Sequence, residues 1–204
     1  MGMTKKSRNF LQNKNDIIEL TINLIASKSV ASVSMRDIAK AAEIDTSTLY
    51  YYFKNKEDLM FQIIIHINEK MQNELLKLDL SALKSDEETF KYLVRFVYDY
   101  LADKPSHAST MRQMSVMGNL FLSKEIMDEV LDITVNNHVV MDFFKQMESK
   151  YPTMKMLGLT CTLFCYMPIY DLVLHTYFPN TVTDEHITTY INSLWNSIKD
   201  CSKD

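Results

Sequence analysis

Residues 34–59 read SMRDIAKAAEIDTSTLYYYFKNKEDL, and this stretch decides the fold of the N-terminal part of the chain. Residues 35–42 and 46–53 each carry apolar side chains at helical spacing, and only the three residues 43–45 separate them. Two short helices joined by such a turn are typical of a helix-turn-helix, whose second helix enters the major groove of DNA with its N-terminus first. The spacing therefore predicts a nucleic-acid-reading unit in this segment.

The side chains of this motif divide into those that pack the two helices together and those that remain outward. Thr46, Ser47 and Thr48 place hydroxyl groups beside the unpaired backbone N–H groups of the second helix, where phosphate oxygens bind well. The run 50–52 of three tyrosines has two interpretations, a phosphate-binding surface or a buried aromatic stripe. Because neighbouring helical residues point about 100° apart, the three rings cannot all face one core, and at least one is exposed.

From about Ile17 to Leu59 the sequence resembles the DNA-binding signature of TetR-type (tetracycline-repressor-like) regulators. The pattern departs at Ser29 and Glu43, where members of that family usually carry the glycine that ends a helix. A residue other than glycine in the left-handed region costs roughly 1 kcal/mol, and Glu43 adds an acid to the expected phosphate surface. The resemblance implies that Arg36, Thr46, Ser47 and Tyr50 face base edges, that Thr48, Tyr51, Tyr52 and Lys56 hold phosphates, and that Phe53 packs inward.

The composition favours helices throughout the chain. Its 204 residues include only three glycines and four prolines, too few for the turns of barrels and sandwiches. We therefore expect an all-α protein of about nine helices, with a helix-turn-helix domain at residues 1–58 and a larger helical body at residues 59–204. Capping residues precede apolar helical patterns at Asn15, Ser34, Asn55, Ser85, Ser123 and Thr183, and the helix after Ser123 is expected to reach about Lys150.

The charges are unevenly distributed, although the net charge is only −4. Residues 1–58 hold nine Lys and Arg residues against seven Asp and Glu residues, whereas residues 59–204 hold thirteen against nineteen. The basic residues between Lys5 and Lys14 have no acid among them, which indicates a short basic arm or, alternatively, a solvated disordered tail. Since residues 34–56 have a net charge of only +1, attraction to DNA would depend on this arm.

Several classes of function find no support in the sequence. Gly2, Gly118 and Gly158 lie too far apart in sequence to form a glycine-rich phosphate-binding loop, and the motifs of zinc proteases and serine hydrolases are absent, so we expect no enzyme. Cys161, Cys165 and Cys201 lack partners at metal-ligand spacing, and we expect neither a metal nor a cofactor. The longest charge-free run, residues 156–170, is shorter than the roughly 20 residues of a membrane span, and the polar first residues do not suit a signal peptide. These features predict a cytoplasmic protein.

The body after residue 60 has the composition of an adaptable ligand-binding core. Methionine and aromatic side chains supply the soft lining that apolar pockets use, although the alternative is that most of them only fill the core. We expect a small effector, apolar or aromatic and of unknown identity. The candidate pocket residues are Phe96, Tyr100, Met111, Met114, Met117, Phe121, Phe144, Tyr166 and Tyr170.

The last two predicted helices carry more apolar surface than one chain needs to bury. Such a surface favours a four-helix interface with a symmetry mate, and we expect Trp195 to be its anchor. A homodimer in turn predicts a near-palindromic DNA operator. The candidate interface residues are Leu174, Tyr177, Ile187, Tyr190, Ile191, Leu194, Trp195 and Ile198.

Together these features predict a homodimeric transcriptional regulator, a repressor that responds to a small ligand. The alternative is a helical small-molecule-binding protein whose DNA-binding unit is weak or vestigial. Glu43 and the low net charge of the motif favour that alternative, whereas the order and spacing of the motif favour the first.

Overall fold

The computed structural model describes residues 5–117, 122–133, 143, 146–147, 150–151, 169–175 and 182–200. Every regular element within these ranges is helical, which confirms the all-α prediction. The helices with defined bounds are α1 (Lys5–Ser27), α2 (Met35–Ala41), α3 (Thr46–Tyr52), α4 (Lys56–Leu75), α5 (Asp86–Ala102), α6 (Pro105–Met117), α7 (Lys124–Leu131) and α8 (Asp184–Asp200), and residues 169–173 are also helical. The predicted residues Phe121, Phe144, Tyr166 and Tyr177 and the three cysteines lie outside the described ranges.

Most helices begin where the sequence predicts, because the residue before each helix supplies an acceptor for backbone N–H groups that lack one. The Ser34 hydroxyl accepts a hydrogen bond from the Asp37 amide, and the Asp37 carboxylate accepts one from the Ser34 amide, so a reciprocal capping box opens α2. Side-chain oxygens of Asn55, Ser85 and Ser123 likewise cap α4, α5 and α7.

The first helix differs from the prediction, because it begins at Lys5 rather than after Asn15. Residues 5–14 contain neither glycine nor proline, so nothing interrupts helical hydrogen bonding in this segment. The basic segment is therefore the start of α1 rather than a separate arm or a disordered tail. Lys14 lies against the helix-turn-helix, with its Nζ 5.5 Å from the centre of the Phe53 ring and 3.3 Å from an oxygen of Gln62.

The core consists of two clusters of buried apolar side chains that meet on α4. The first cluster gathers the inward faces of α1, α2 and α3 with α4 as far as Ile67, and α6 and α7 complete it through Met114 and Val130. The second begins at Met71 and gathers α5, residues 169–173 and α8. Packing thus divides between Ile67 and Met71, within α4, whereas the domain boundary at residue 58 stays a prediction.

α6 lies along α1 in the most extensive helix pair of the described chain. α6 contributes Met114 to the first core cluster and Ala108 to the second, so this contact links α1 to both. α7 has defined bounds only to Leu131, and most of its predicted continuation to Lys150 lies outside the described ranges. Within those ranges, no helix combines the length and the apolar character that crossing a membrane requires.

Candidate nucleic-acid interface

The turn between α2 and α3 has the hydrogen bonds of a Schellman motif. The Ile44 amide donates to the Ala39 carbonyl at 3.0 Å, and the Glu43 amide donates to the Lys40 carbonyl at 3.3 Å. Glu43 has a φ of 55°, in the left-handed region. Glu43 therefore adopts the conformation that glycine favours, at a position where TetR-type regulators usually have glycine. Its conformation sets the angle between the two helices.

Ser29, the other position without the usual glycine, does not adopt the left-handed conformation that we expected there. Among the described residues only Glu43 and His175 have a positive φ. The chain instead leaves α1 through a turn in which the Ser29 carbonyl accepts hydrogen bonds from the amides of Ser32 and Val33, both at 3.2 Å. Because this turn needs no left-handed residue, serine carries no backbone penalty there.

Replacing Glu43 with glycine should stabilise the protein by roughly 1 kcal/mol, since glycine adopts the left-handed region without a Cβ clash. The urea midpoint of unfolding measures this gain. Ala41→Gly is the matched control, because an exposed position inside α2 should lose roughly 1 kcal/mol from the same change. Equal losses at both positions would show that the turn does not strain Glu43.

α3 is anchored by its buried face and presents the opposite face to solvent. Leu49 and, just after the helix, Phe53 are fully buried in the first core cluster. Tyr50 is 50% exposed and Tyr51 is 73% exposed. Tyr52 is half-buried, with its ring edge-on to that of Tyr51 at 5.8 Å between centroids. The tyrosine run is therefore not a buried stripe, and its first two rings are exposed to solvent.

The remaining predicted contact residues also lie at or near the surface. Arg36 is exposed on the first turn of α2, and Ser47 and Thr48 are exposed on the first turn of α3, while Thr46 is half-buried. The division of these residues between base edges and phosphates stays a prediction. The structure shows that anchored, short helices carry them, which limits how far each side chain can move.

Lys56 has a second role that the sequence did not reveal. Its Nζ donates a hydrogen bond of 2.6 Å to the carbonyl of Val30, and the side chain is half-buried. Burial lowers the pKa of the Lys56 amine, and the Asp37 carboxylate opposes that change. Lys56 therefore ties the start of α4 to the connection between α1 and α2. A phosphate would share the ammonium group, which has three donors.

A groove with a cavity volume of about 320 Å³ separates α1 from the helix-turn-helix. Sequence reasoning missed it because its two walls come from segments more than twenty residues apart. Two of the predicted phosphate contacts, Thr48 and Tyr52, border it. The other lining residues are Asp16, Ile17, Leu20, Ala42 and Ile44.

Comparison with known proteins agrees with this geometry. Residues 17–63 match the family model described as bacterial regulatory proteins, tetR family. The match covers α1 from Ile17, the whole helix-turn-helix and the first turns of α4. The N-terminal unit of the chain, residues 17–63, is therefore similar to the DNA-binding part of the tetR family.

Individual relatives match different lengths of this chain. An HTH-type transcriptional regulator of Haemophilus influenzae is 29% identical over 112 residues, which cover 53% of this chain and 59% of the relative. The chain spans about half the length of the curated relatives that it matches. The likeness in sequence is therefore a likeness of the N-terminal half.

Solved structures share the fold over almost the whole length. A TetR family transcription regulator from Marinobacter aquaeolei VT8 superposes with a TM-score of 0.72 at 21% identity, covering 93% of this chain and 97% of that one. FadR from Bacillus subtilis, solved in complex with stearoyl-CoA, superposes with a TM-score of 0.62 at 18% identity, covering 91% and 97%. At these identities the likeness establishes the helical architecture of the body and not its ligand.

A polar cluster that joins α1 to α4 and α6 was not foreseen from the sequence. The Glu19 carboxylate of α1 pairs with His66 (2.7 Å) and Lys70 on α4 and with His107 (3.0 Å) on α6. Burial raises the pKa of Glu19, but the hydrogen bonds from Lys70, His107 and His66 together outweigh burial and bring it down to about 2. The three partners lie 47 to 88 residues away in sequence, so no local pattern reveals them.

The predicted pocket residues in the described part of the chain divide between the two core clusters. Met114 and Met117 pack with the first core cluster, whereas Tyr170 belongs to the second and Met111 touches both. Their part in ligand binding stays a prediction.

Arg112 and Asp171, two polar groups in apolar surroundings, form an ion pair at 2.5 Å that joins α6 to residues 169–173.

Phe96 and Tyr100 do share a groove, which residues of α5 form together with Glu74 of α4. Their rings stack at 6.1 Å between centroids, and the Lys104 Nζ lies 4.0 Å from the centre of the Tyr100 ring. Burial, with help from the charges of Glu74 and Glu19, raises the pKa of Tyr100 to about 12. The groove has a cavity volume of about 340 Å³ and is lined by Glu74, Tyr92, Arg95, Phe96, Asp99, Tyr100, Asp103 and Lys104.

Trp195, the predicted anchor of a dimer interface, packs within its own chain. It is only 3% exposed, with its ring 5.6 Å from those of both Phe90 and Tyr151. Its part in a dimer interface stays a prediction. Ile187, Ile191 and Ile198 are buried with it, whereas Leu174, Tyr190 and Leu194 are only half-buried and stay candidates.

Proposed function

We propose that this protein is a TetR-type DNA-binding transcriptional regulator, a homodimeric repressor that reads a near-palindromic operator and responds to a small-molecule effector. One observation carries the proposal: the same short segment buries Leu49 and Phe53 fully on one face and exposes the rings of Tyr50 and Tyr51 on the other. A rigid inner face and a polar aromatic outer face are what a recognition helix needs to enter a groove in a fixed pose. Such a regulator meets its operator in the cytoplasm.

The body supports an effector-binding role. The fold that it shares with FadR of Bacillus subtilis, a protein solved with stearoyl-CoA, accommodates a ligand in that relative. Here the groove of Phe96 and Tyr100 combines stacked rings with charged side chains of both signs. We infer an effector with an apolar or aromatic part, and the half-buried Leu174, Tyr190 and Leu194 as part of the dimer contact.

Selection of double-stranded DNA from a random library by the full chain tests the proposal. We expect a near-palindromic consensus that binds two chains and whose affinity falls steeply with added salt. Tyr51→Phe should weaken binding about threefold to tenfold for all selected sequences, because one hydroxyl contact to phosphate is lost. Arg36→Ala should weaken it about tenfold or more and relax the preference at one base pair.

Tyr92→Phe is the matched control for Tyr51→Phe, since Tyr92 is an exposed tyrosine on α5, outside the DNA-binding unit. It should leave the affinity unchanged. Retention of no sequence above background would contradict the proposal and favour a ligand-binding protein without an operator.

A further inference from the structure

The contact between α1 and α6 carries a regular series of polar links. His107 pairs with Glu19, the Thr110 hydroxyl donates to the Ile22 carbonyl (3.2 Å), and the Gln113 amide donates to the Ile25 carbonyl (3.2 Å). Each link joins residues 88 positions apart. Both helices advance by three residues from one link to the next, so the two helices run parallel and keep facing sides together.

The last link differs from the others because it reaches beyond the end of α1. While Nε2 of Gln113 donates to the Ile25 carbonyl, Oε1 accepts a hydrogen bond of 2.8 Å from the amide of Val30. Ile25 belongs to the last turns of α1, and Val30 lies in the connection that leads to α2. The side chain of Gln113 therefore bonds to the backbone both before and after the end of α1.

Val30 is held from the opposite direction as well. Its carbonyl accepts the hydrogen bond from Lys56 at the start of α4, and its side chain is fully buried. The peptide groups of this one residue thus connect to α6 on one side and to α4 on the other. Since Met35 opens α2 only five positions later, the position of Val30 constrains where the helix-turn-helix begins.

We propose that Gln113 is a positioning residue, which fixes the connection between α1 and α2 against α6 and thereby sets the pose of the helix-turn-helix. The inference rests on the proposed function in so far as that pose serves DNA binding. It adds to the turn at Ser29 by which the chain leaves α1, because the side chain of a distant helix supplies a hydrogen bond on each side of that turn. A movement of α6 along α1 would break the bonds of Gln113 to Ile25 and Val30 at once and release the connection.

Hydrogen exchange of the full chain without DNA provides the direct test. Gln113→Met keeps the length of the side chain but removes its hydrogen bonds to Ile25 and Val30, together with the one of 3.4 Å to Ser109 within α6, and we expect the Val30 amide to exchange about tenfold faster. Gln113→Glu retains an acceptor for that amide but replaces the donor to the Ile25 carbonyl with an oxygen, so Val30 should exchange at a rate between those of wild type and Gln113→Met. Ser115→Ala is the control on the same helix, because that hydroxyl bonds only to the Met111 carbonyl within α6.

The second readout is affinity for the operator selected by the wild-type chain. Gln113→Met should weaken binding about tenfold, with Gln113→Glu closer to wild type and Ser115→Ala unchanged. Unchanged exchange at Val30 in Gln113→Met would overturn the proposal, as would faster exchange with unchanged affinity. If the wild-type chain selects no DNA, the proposed function fails, and the exchange measurement still decides whether Gln113 holds the connection.

Discussion

Phe53→Ala should lower the free energy of unfolding by about 3–5 kcal/mol. Phe53 is fully buried immediately after α3, where its ring packs beside that of Tyr52 and beneath the ammonium group of Lys14. Truncation removes the apolar contact, leaves a cavity and deprives Lys14 of its aromatic neighbour. Urea unfolding followed by circular dichroism measures the loss.

Tyr51→Ala is the control for this prediction, because it truncates an aromatic ring of similar size two positions away. Tyr51 is 73% exposed, so its loss should change stability by no more than about 0.5 kcal/mol. For the affinity for DNA we expect the reverse order: Tyr51→Ala should have the larger direct effect, because the Tyr51 ring faces outward. Similar stabilities of the two variants would mean that α3 is not anchored through Phe53.

The contrast between these two residues also shows what the sequence could establish. Whether a helical side chain faces a core depends on its spacing from other apolar residues, and that information is local. The caps at Ser34, Asn55 and Ser85 were predicted for the same reason, since a cap and its amide are separated by three residues. The helix-turn-helix is thus the part of the molecule that the sequence describes best.

The features that the sequence did not reveal share one physical origin. Each depends on a contact between segments that lie far apart in the chain. The apolar pattern of α8 showed correctly that Trp195 needs burial, but not whether α5 or a second chain provides it. Gln113 lies on a helix with little apolar periodicity, and its importance depends on Val30, which is 83 residues away. Lys56 fits a family pattern of phosphate contacts, yet the structure also gives its amine a partner within the chain.

Two of the unforeseen links, those of Glu19 and Gln113, lie at the same helix contact. Both connect α1 of the DNA-binding unit to α6 of the body, and Glu19 adds a connection to α4 through His66 and Lys70. Buried polar links require matched geometry, whereas apolar side chains tolerate small displacements. The contact between α1 and α6 therefore has a preferred register, which a ligand that shifts α6 would have to change.

Glu19→Gln should cost about 2 kcal/mol of stability near neutral pH. The carboxylate accepts hydrogen bonds from three groups on two other helices, and glutamine keeps the shape while it removes the charge. The value lies in the lower part of the range for bonds to charged groups, because a third of the side chain is exposed and solvent screens the attraction.

The pH dependence of this difference identifies its cause. The pKa of Glu19 falls from an ordinary 4.5 to about 2 in the folded chain, so the folded state favours the charged carboxylate. The stabilisation is fully present above the unfolded pKa and is lost as the pH falls from about 4.5 towards 2. The stability gap between wild type and Glu19→Gln should therefore narrow over that interval, as measured by urea unfolding at each pH.

Glu69→Gln is the control, since it removes an exposed carboxylate from α4 and should leave stability within about 0.5 kcal/mol of wild type. If the difference in stability between wild type and Glu19→Gln stays constant as the pH falls, the shape of the Glu19 side chain and not its charge stabilises its contacts with α4 and α6. A gap that narrows only for Glu19 assigns the stabilisation to the charge that joins α1 to α4 and α6. In that case the DNA-binding unit is held on the body by an electrostatic contact as well as by its apolar core.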